Sequence, residues 1–473
     1  MKKRSVARRR AIRTVTMKLS PLLLALFAAA GPALAQLPES SSVRALRQVY
    51  QSEKTQVQQL VANTGWQPLY TQKIEVKKGD LLRLVGGAQL TLDSTSVIGQ
   101  QMRLTVNGQQ VGGQPAEINT QPGAHHLPLM VTALYQASED GEVVVALEGS
   151  AFHSDGNFPL VVDHQGELAT GALLVEAYRT YTDLQAAWDD HALLLNEVHH
   201  PSSQQAPLWG VAPFVQQALA TQKLPVNSGD ILRPSAQAVA YPTAGLEQFT
   251  GVLTSGDRAV SFYGGQNAID PENPMAPMWL EGFEKADSDG HLLLEHRLYG
   301  AFGRGFSLVP DTARFEVAHF ASYGRALQDF SQTSISAGDF LANGSSVELW
   351  SREVDLKEGD LLKATASFQL GPPGIPVPVD CRLILEIEGP GKTEQSMSGK
   401  SLSGVKSMVG LSSFVTAQAA TDGTYRVSAK LNGISPAGPT VVRLDANHSQ
   451  VQLLHFSMPG SVETSSPSAF EFP

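Results

Sequence analysis

Between positions 188 and 200 the chain reads WDDHALLLNEVHH, its densest collection of imidazole and carboxylate groups. Such groups are zinc ligands when a fold converges them, and His191, Glu197 and His199 are the candidates here, beside Asp189, Asp190 and His200. Nothing in their spacing requires an ion, and an exposed polar connector accounts for the same residues. No metal and no cofactor is therefore expected. A second constellation is SFYGGQNAIDPENPMAPMWLEGF, residues 261–283. Tyr263 and Trp279 supply aromatic faces, while Asn267, Asp270 and Glu272 supply hydrogen-bonding groups, a mixture that suits stacking on sugar C–H faces and pairing with hydroxyls. The competing reading places the aromatics in a core and leaves the polar residues as loop decoration. Asp270 and Glu272 are also acids that a hydrolase could bring together, since paired carboxylates need no local motif. The chain has no Gly-x-Ser-x-Gly elbow, His-Glu-x-x-His helix, P-loop or dinucleotide fingerprint.

The N-terminus reads as an address. Eight basic residues and no acidic one precede the apolar run PLLLALFAAA and an Ala33-Leu34-Ala35 cleavage pattern, which is the form of a secretory signal peptide over 1–35. Translation could start at Met1 or Met17. The expected destination is the periplasm or the extracellular space, without membrane insertion. Removing the eight cations takes the net charge from −10 to −18, a balance that excludes nucleic acid as a partner. The single cysteine, Cys381, shares its alternation phase with Leu383, Leu385 and Ile387 and reads as core.

What must position any site is a repeat. KIEVKKGDLLRL at 73–84 returns as KLPVNSGDILRP at 223–234 and EVDLKEGDLLKA at 353–364. Period-two alternation on both sides of Gly79-Asp80, Gly229-Asp230 and Gly359-Asp360 signals strand, turn, strand. Glycine tolerates positive φ there, and the aspartate can accept backbone N–H bonds. A second landmark, Asp140-Gly141, Asp289-Gly290 and Asp422-Gly423, follows each first aspartate by 60, 59 and 62 residues. The copies close on LLVEAY, FEVAHF and VQLLHF.

Many short alternating segments between Gly, Pro, Asn and Asp turns predict an all-β chain: three tandem antiparallel β-sandwich or jelly-roll domains joined by short helical or irregular connectors. The expected boundaries are a helical segment over 36–65, sandwiches at 66–180, 215–322 and 345–457, connectors at 181–214 and 323–344, and a tail at 458–473. Val43, Leu46, Tyr50, Val57 and Leu60 stand at heptad-like spacing, so residues 43–60 are expected to form a helix that packs on the first sandwich or oligomerises. Gly-Asp before one strand and Asp-Gly before a late strand, as in TDGTYRVSA, resembles the secreted β-sandwich of the pre-peptidase C-terminal type. That resemblance implies a fold and carries over no site residue. Two functional classes follow. One is an exported non-catalytic binding or surface-interaction protein recognising glycan or extracellular polymer through the second sandwich, and the other is a secreted hydrolase of glycan or peptide using carboxylates.

Overall fold

Among the described residues of the computed structural model the alternating segments form thirty-two strands and no helix. Residues 43–457 are described, except 52–57, 92–97, 113–115, 120–125, 182–192, 200–216, 243–246, 270–275, 301–305, 321–326, 372–378, 403–408 and a few isolated positions. Residues 1–35 and 458–473, read from the sequence as a signal peptide and a tail, lie outside them. Among the described residues the strand pairs are antiparallel, so the fold class is all-β, in sheets stacked as β-sandwiches.

Each repeat builds the same two sheets. In one, the strand after Gly-Asp is central: Leu81–Thr91 lies between Ala172–Tyr181 and His126–Gln136, Ile231–Pro242 between Arg314–Phe320 and Ala276–Glu281, and Leu361–Gly371 between Thr440–Phe456 and Val409–Gln418. In the other, the strand before Gly-Asp pairs with the strand after Asp-Gly, for example Gln67–Val76 with Gly141–His153. Three apolar cores fill the spaces between paired sheets, centred on residues such as Leu84 and Leu147, Leu253 and Val317, and Leu383 and Val451.

The two sequence landmarks are one structural object. Asp140 Oδ1 accepts the Lys78 N–H at 2.7 Å, Asp289 Oδ1 that of Ser228 at 2.7 Å and Asp422 Oδ1 that of Glu358 at 2.8 Å. The Gly-Asp aspartate turns the other way, accepting the N–H three residues before it at 2.8–2.9 Å in every copy. Between them Gly79, Gly229 and Gly359 hold φ of +90°, +91° and +90°, where a branched side chain is strained. Gly359→Val is expected to cost roughly 1–3 kcal/mol in urea denaturation of the mature chain; a change within error would show that the turn tolerates a Cβ.

Where the expected helical segment and connectors are described, they are strand rather than helix. Val43–Gln51 is a strand between Ala172–Tyr181 and Leu193–His199, and Gln58–Val61 is a strand beside Pro159–Val162. The 181–214 connector likewise holds the strand Leu193–His199, and 323–344 holds Leu327–Ser334 and Gly338–Ala342. A coiled-coil oligomer through 43–60 is therefore withdrawn. The heptad-like spacing has a local cause. Leu46 and Tyr50 face opposite sides of the strand, Leu46 in a cluster with Tyr178 and Tyr50 against the first core, and a β-bulge between Leu46 and Gln48 adds one residue to the alternation, so apolar residues of two faces combine into a spacing that imitates a helix. The same bulge follows Leu195 and Leu327. Because Leu193–His199 also pairs with Arg314–Phe320, the first and second repeats share one twelve-stranded sheet.

Candidate functional site

Three residues past each Gly-Asp aspartate stands a cation: Arg83, Arg233 and Lys363. The strands carrying them are buried on both faces. Leu82, Leu84 and Ala88 point into the first core, and their counterparts do so in the other repeats. The opposite face, Leu81, Arg83 and Val85 in the first copy, should meet water in a free-standing sandwich. Instead the three repeats turn these faces toward one another. Leu81, Ile231 and Leu361, one from each copy, share a cluster with Tyr178, Phe320 and Phe456, the residues opposite them in register. Tyr178 and Phe320 have ring centroids 6.5 Å apart, Phe320 and Phe456 6.3 Å.

The three cations meet three carboxylates inside this hub. Arg83 contacts Glu281 at 2.5 Å, Glu316 at 3.2 Å and Glu176 at 3.6 Å. Arg233 donates through Nη1 and Nη2 to the two oxygens of Glu176 at 2.9 and 2.6 Å, and Tyr178 donates its hydroxyl to the same carboxylate at 2.7 Å. Lys363 reaches Glu281 at 2.6 Å and Glu176 at 3.5 Å. Every repeat is thus tied to both others by ion pairs whose side chains are at most 10% exposed, and the charges balance. Amide side chains continue the seam: Gln237 Oε1 accepts the Thr132 N–H at 3.0 Å, and Gln450 and Gln452 both donate to the Val260 carbonyl, at 2.9 and 3.0 Å.

Burial alone would raise the Glu281 pKa, but Lys363, Arg83 and Arg233 outweigh it and hold the group at about 2. Glu176 is likewise held well below the usual carboxylate range, burial being overcome by Arg233, Lys363 and Arg83. Neither is poised to give or take a proton near neutrality. Both have depressed folded-state pKa values, so their contribution is complete above the unfolded value and is lost as pH falls through it towards 2. His296, whose pKa burial lowers to about 4, adds to this: the unfolded imidazole takes up a proton near pH 6.5 while the folded one resists it. The midpoint of thermal unfolding is expected to fall in two phases, from pH 6.5 to 4 and again below 4.5. His296→Phe should flatten the upper phase alone, and a flat profile from pH 7 to 4 in the parent would contradict the placement of His296.

Two further acid–base pairs are turn fittings. His319 and Asp230 lie 2.7 Å apart, and His455 and Asp360 2.9 Å. Ala177 occupies the same register position in the first repeat, so the shared fold manages without the imidazole.

The residues singled out in sequence fare differently. Trp279 is 4% exposed and packs on Phe414, 5.8 Å between centroids, in a cluster with Val85 and Leu174. One side chain of the second repeat thereby touches both others, and Trp279 is no ligand platform: its faces are spent on the hub. Tyr263 and Asn267 sit on the strand Arg258–Ile269, opposite Gly251 and Phe249, and Asp270 and Glu272 lie outside the described residues. Glu197 and His199 are on the strand Leu193–His199, two positions apart, while His191 is outside the described residues; among those described, no three potential ligands gather around a point. Cys381 is fully buried, and burial pushes its thiol pKa far up. The hub itself was missed, although the recurring cation in the Leu81 phase was its signal.

Fold and hub together define an all-β protein of antiparallel β-sandwich repeats closed on one another by an internal ionic seam. No family model and no curated protein matches the chain. Among solved structures it is similar to the N-terminal tandem of two CBM22 domains of a protein from Paenibacillus barcinonensis, with 11% identity and a TM-score of 0.16, over 54% of this chain and 92% of that one. It is also similar to the dimeric latent PorU of Porphyromonas gingivalis, with 10% identity and a TM-score of 0.16, over 74% of this chain and 32% of that one. Superpositions this slight carry no argument about function. No described helix is long and apolar enough to cross a membrane.

Proposed function

We propose that the chain is an exported, non-catalytic binding or surface-interaction protein that recognises a glycan or extracellular polymer. The observation that carries this reading is where the acids and bases converge. Arg83, Arg233, Lys363, Glu176, Glu281 and Glu316 form a constellation that in an open cleft would suggest catalysis, yet it is sealed between the repeats and neutralised. Its use is orientation: buried ion pairs add little net stability but tolerate only one arrangement of their partners. A chain built this way offers solvent the outer faces of strands such as Gln67–Val76 and Ser346–Leu356, held at fixed relative positions, which favours attachment over turnover. The signal-peptide pattern supports export, and the charge of −18 after its removal argues against nucleic acid.

The test is a screen of the 36–473 protein against polysaccharides and extracellular polymers, with reducing-end and peptide-end release assayed in the same samples. Saturable binding without release is the expected result. Release of new ends would replace this reading with the carboxylate hydrolase.

A further inference from the structure

A loop beside one outer sheet face carries an aromatic that is only partly covered. Trp66 is half-buried, whereas Trp279 lies in the hub and Trp350 packs on the third core. It stands in the short loop between Gln58–Val61 and Gln67–Val76, and that loop is pinned from both sides. Gln67 accepts the Val61 N–H at 3.1 Å and donates to the Val61 carbonyl at 2.8 Å and the Thr64 hydroxyl at 3.0 Å. Asn63, at a φ of +62°, donates to the carbonyls of His153 at 3.0 Å and Gly156 at 2.8 Å. The indole is also held from the sheet: the Arg103 guanidinium lies 4.4 Å from its ring centroid. Arg103 in turn is fixed by Glu148, whose Oε2 receives Nε at 2.7 Å and Nη2 at 2.6 Å.

The other repeats lack this assembly. By strand register, Arg103 and Glu148 correspond to Val252 and Arg297 in the second copy and to Ile384 and Lys430 in the third. The aliphatic partners Val252 and Ile384 are buried, 2% and 3% exposed, while Arg103 and Glu148 remain 22% and 17% exposed. The shared sandwich therefore does not need the charged pair, and its added feature in the first copy is an oriented indole beside a planar, internally neutralised carboxylate and guanidinium.

We propose that Trp66, Arg103 and Glu148 form a binding site for a pyranose ring of a neutral polysaccharide, an inference that rests on the non-catalytic polymer-binding reading above. The C–H face of the sugar stacks on the indole face turned away from Arg103, and hydroxyls of the adjoining unit of the polymer pair with the outer edge of Arg103 and with Glu148, whose Oε1 also accepts the Thr105 hydroxyl at 3.4 Å. A rigid loop spares the ordering cost of a floppy aromatic. The paired charges cancel locally and the chain is acidic overall, which selects an uncharged ligand over a polyanion.

The experiment is native electrophoresis of the 36–473 protein through gels containing hydroxyethyl cellulose, galactomannan or dextran, with alginate as the acidic comparison, alongside thermal melts of each variant. The wild type is expected to be retarded in at least one neutral gel. Trp66→Ala should weaken that retardation at least tenfold with an unchanged melt, and Glu148→Gln, which keeps the shape of the side chain, should weaken it several-fold. Should Trp66→Ala fold poorly, Glu148→Gln with full retardation still overturns the site. Equal retardation of Trp66→Ala and wild type overturns the site and leaves polymer binding standing. Retardation in alginate alone overturns the neutral ligand, and passage through every gel overturns the site together with the polymer reading it rests on.

Discussion

Glu281→Leu is expected to destabilise the protein by about 3–5 kcal/mol, read as a fall in the urea midpoint of the mature chain at pH 7. The substitution leaves the Lys363 ammonium, now 2.6 Å from Glu281 Oε1, without its nearest carboxylate, and takes from Arg83 its 2.5 Å partner. Water cannot compensate, because Lys363 and Arg83 are 3% and 2% exposed. Adding Arg83→Met should give back part of the loss, since the second change removes one of the two stranded cations and restores the charge balance. The double mutant is therefore expected to lose less than the sum of the singles, a coupling that contacts of one repeat alone would not produce. A loss below about 1 kcal/mol in Glu281→Leu would mean that the carboxylate is solvated and that the repeats are not closed around it.

The same hub explains which parts of this molecule its sequence disclosed. Turns are local: Gly79-Asp80 and Asp140-Gly141 announce themselves by residue type, and their constant separation reflects the bond from Lys78 N–H to Asp140 Oδ1. Strand alternation is local too, which is why Cys381, Leu383, Leu385 and Ile387 are readable as core. The bulge after Leu46 is equally local but corrupts the period, and a strand was read as a helix. Contact between repeats leaves a fainter trace. In a solvated sandwich the face bearing Leu81, Arg83 and Val85 would be mostly polar; an aliphatic, a cation and another aliphatic make a poor solvent face and a good interface one. Arg83 suggests water by its type, and only its buried ion pairs with Glu281, Glu316 and Glu176 reveal that its solvent is protein. Trp279 failed for a related reason. An aromatic beside polar loop residues reads as a ligand platform until the neighbours that cover it, Phe414 more than a hundred positions later and Val85 nearly two hundred earlier, are brought to it by the fold.

That placement makes Trp279 the second position of large effect. Trp279→Ala is expected to cost about 3–5 kcal/mol, the range for truncating a buried tryptophan, because the void would open where Val85 and Leu174 of the first repeat and Phe414 of the third converge. The indole has one unfavourable feature: its Nε1 has no hydrogen-bond partner, so part of its packing benefit is offset by a desolvated donor. Trp279→Phe removes that donor while keeping an aromatic body against Phe414, and should therefore lose less than about 1.5 kcal/mol. The wild-type emission spectrum should also carry a blue-shifted component that both variants lack. The contrast is diagnostic of a packed seam. A platform for ligands would leave alanine and phenylalanine alike in stability, and equal urea midpoints for the wild type and Trp279→Ala would place the indole in water and open the interface between the three repeats.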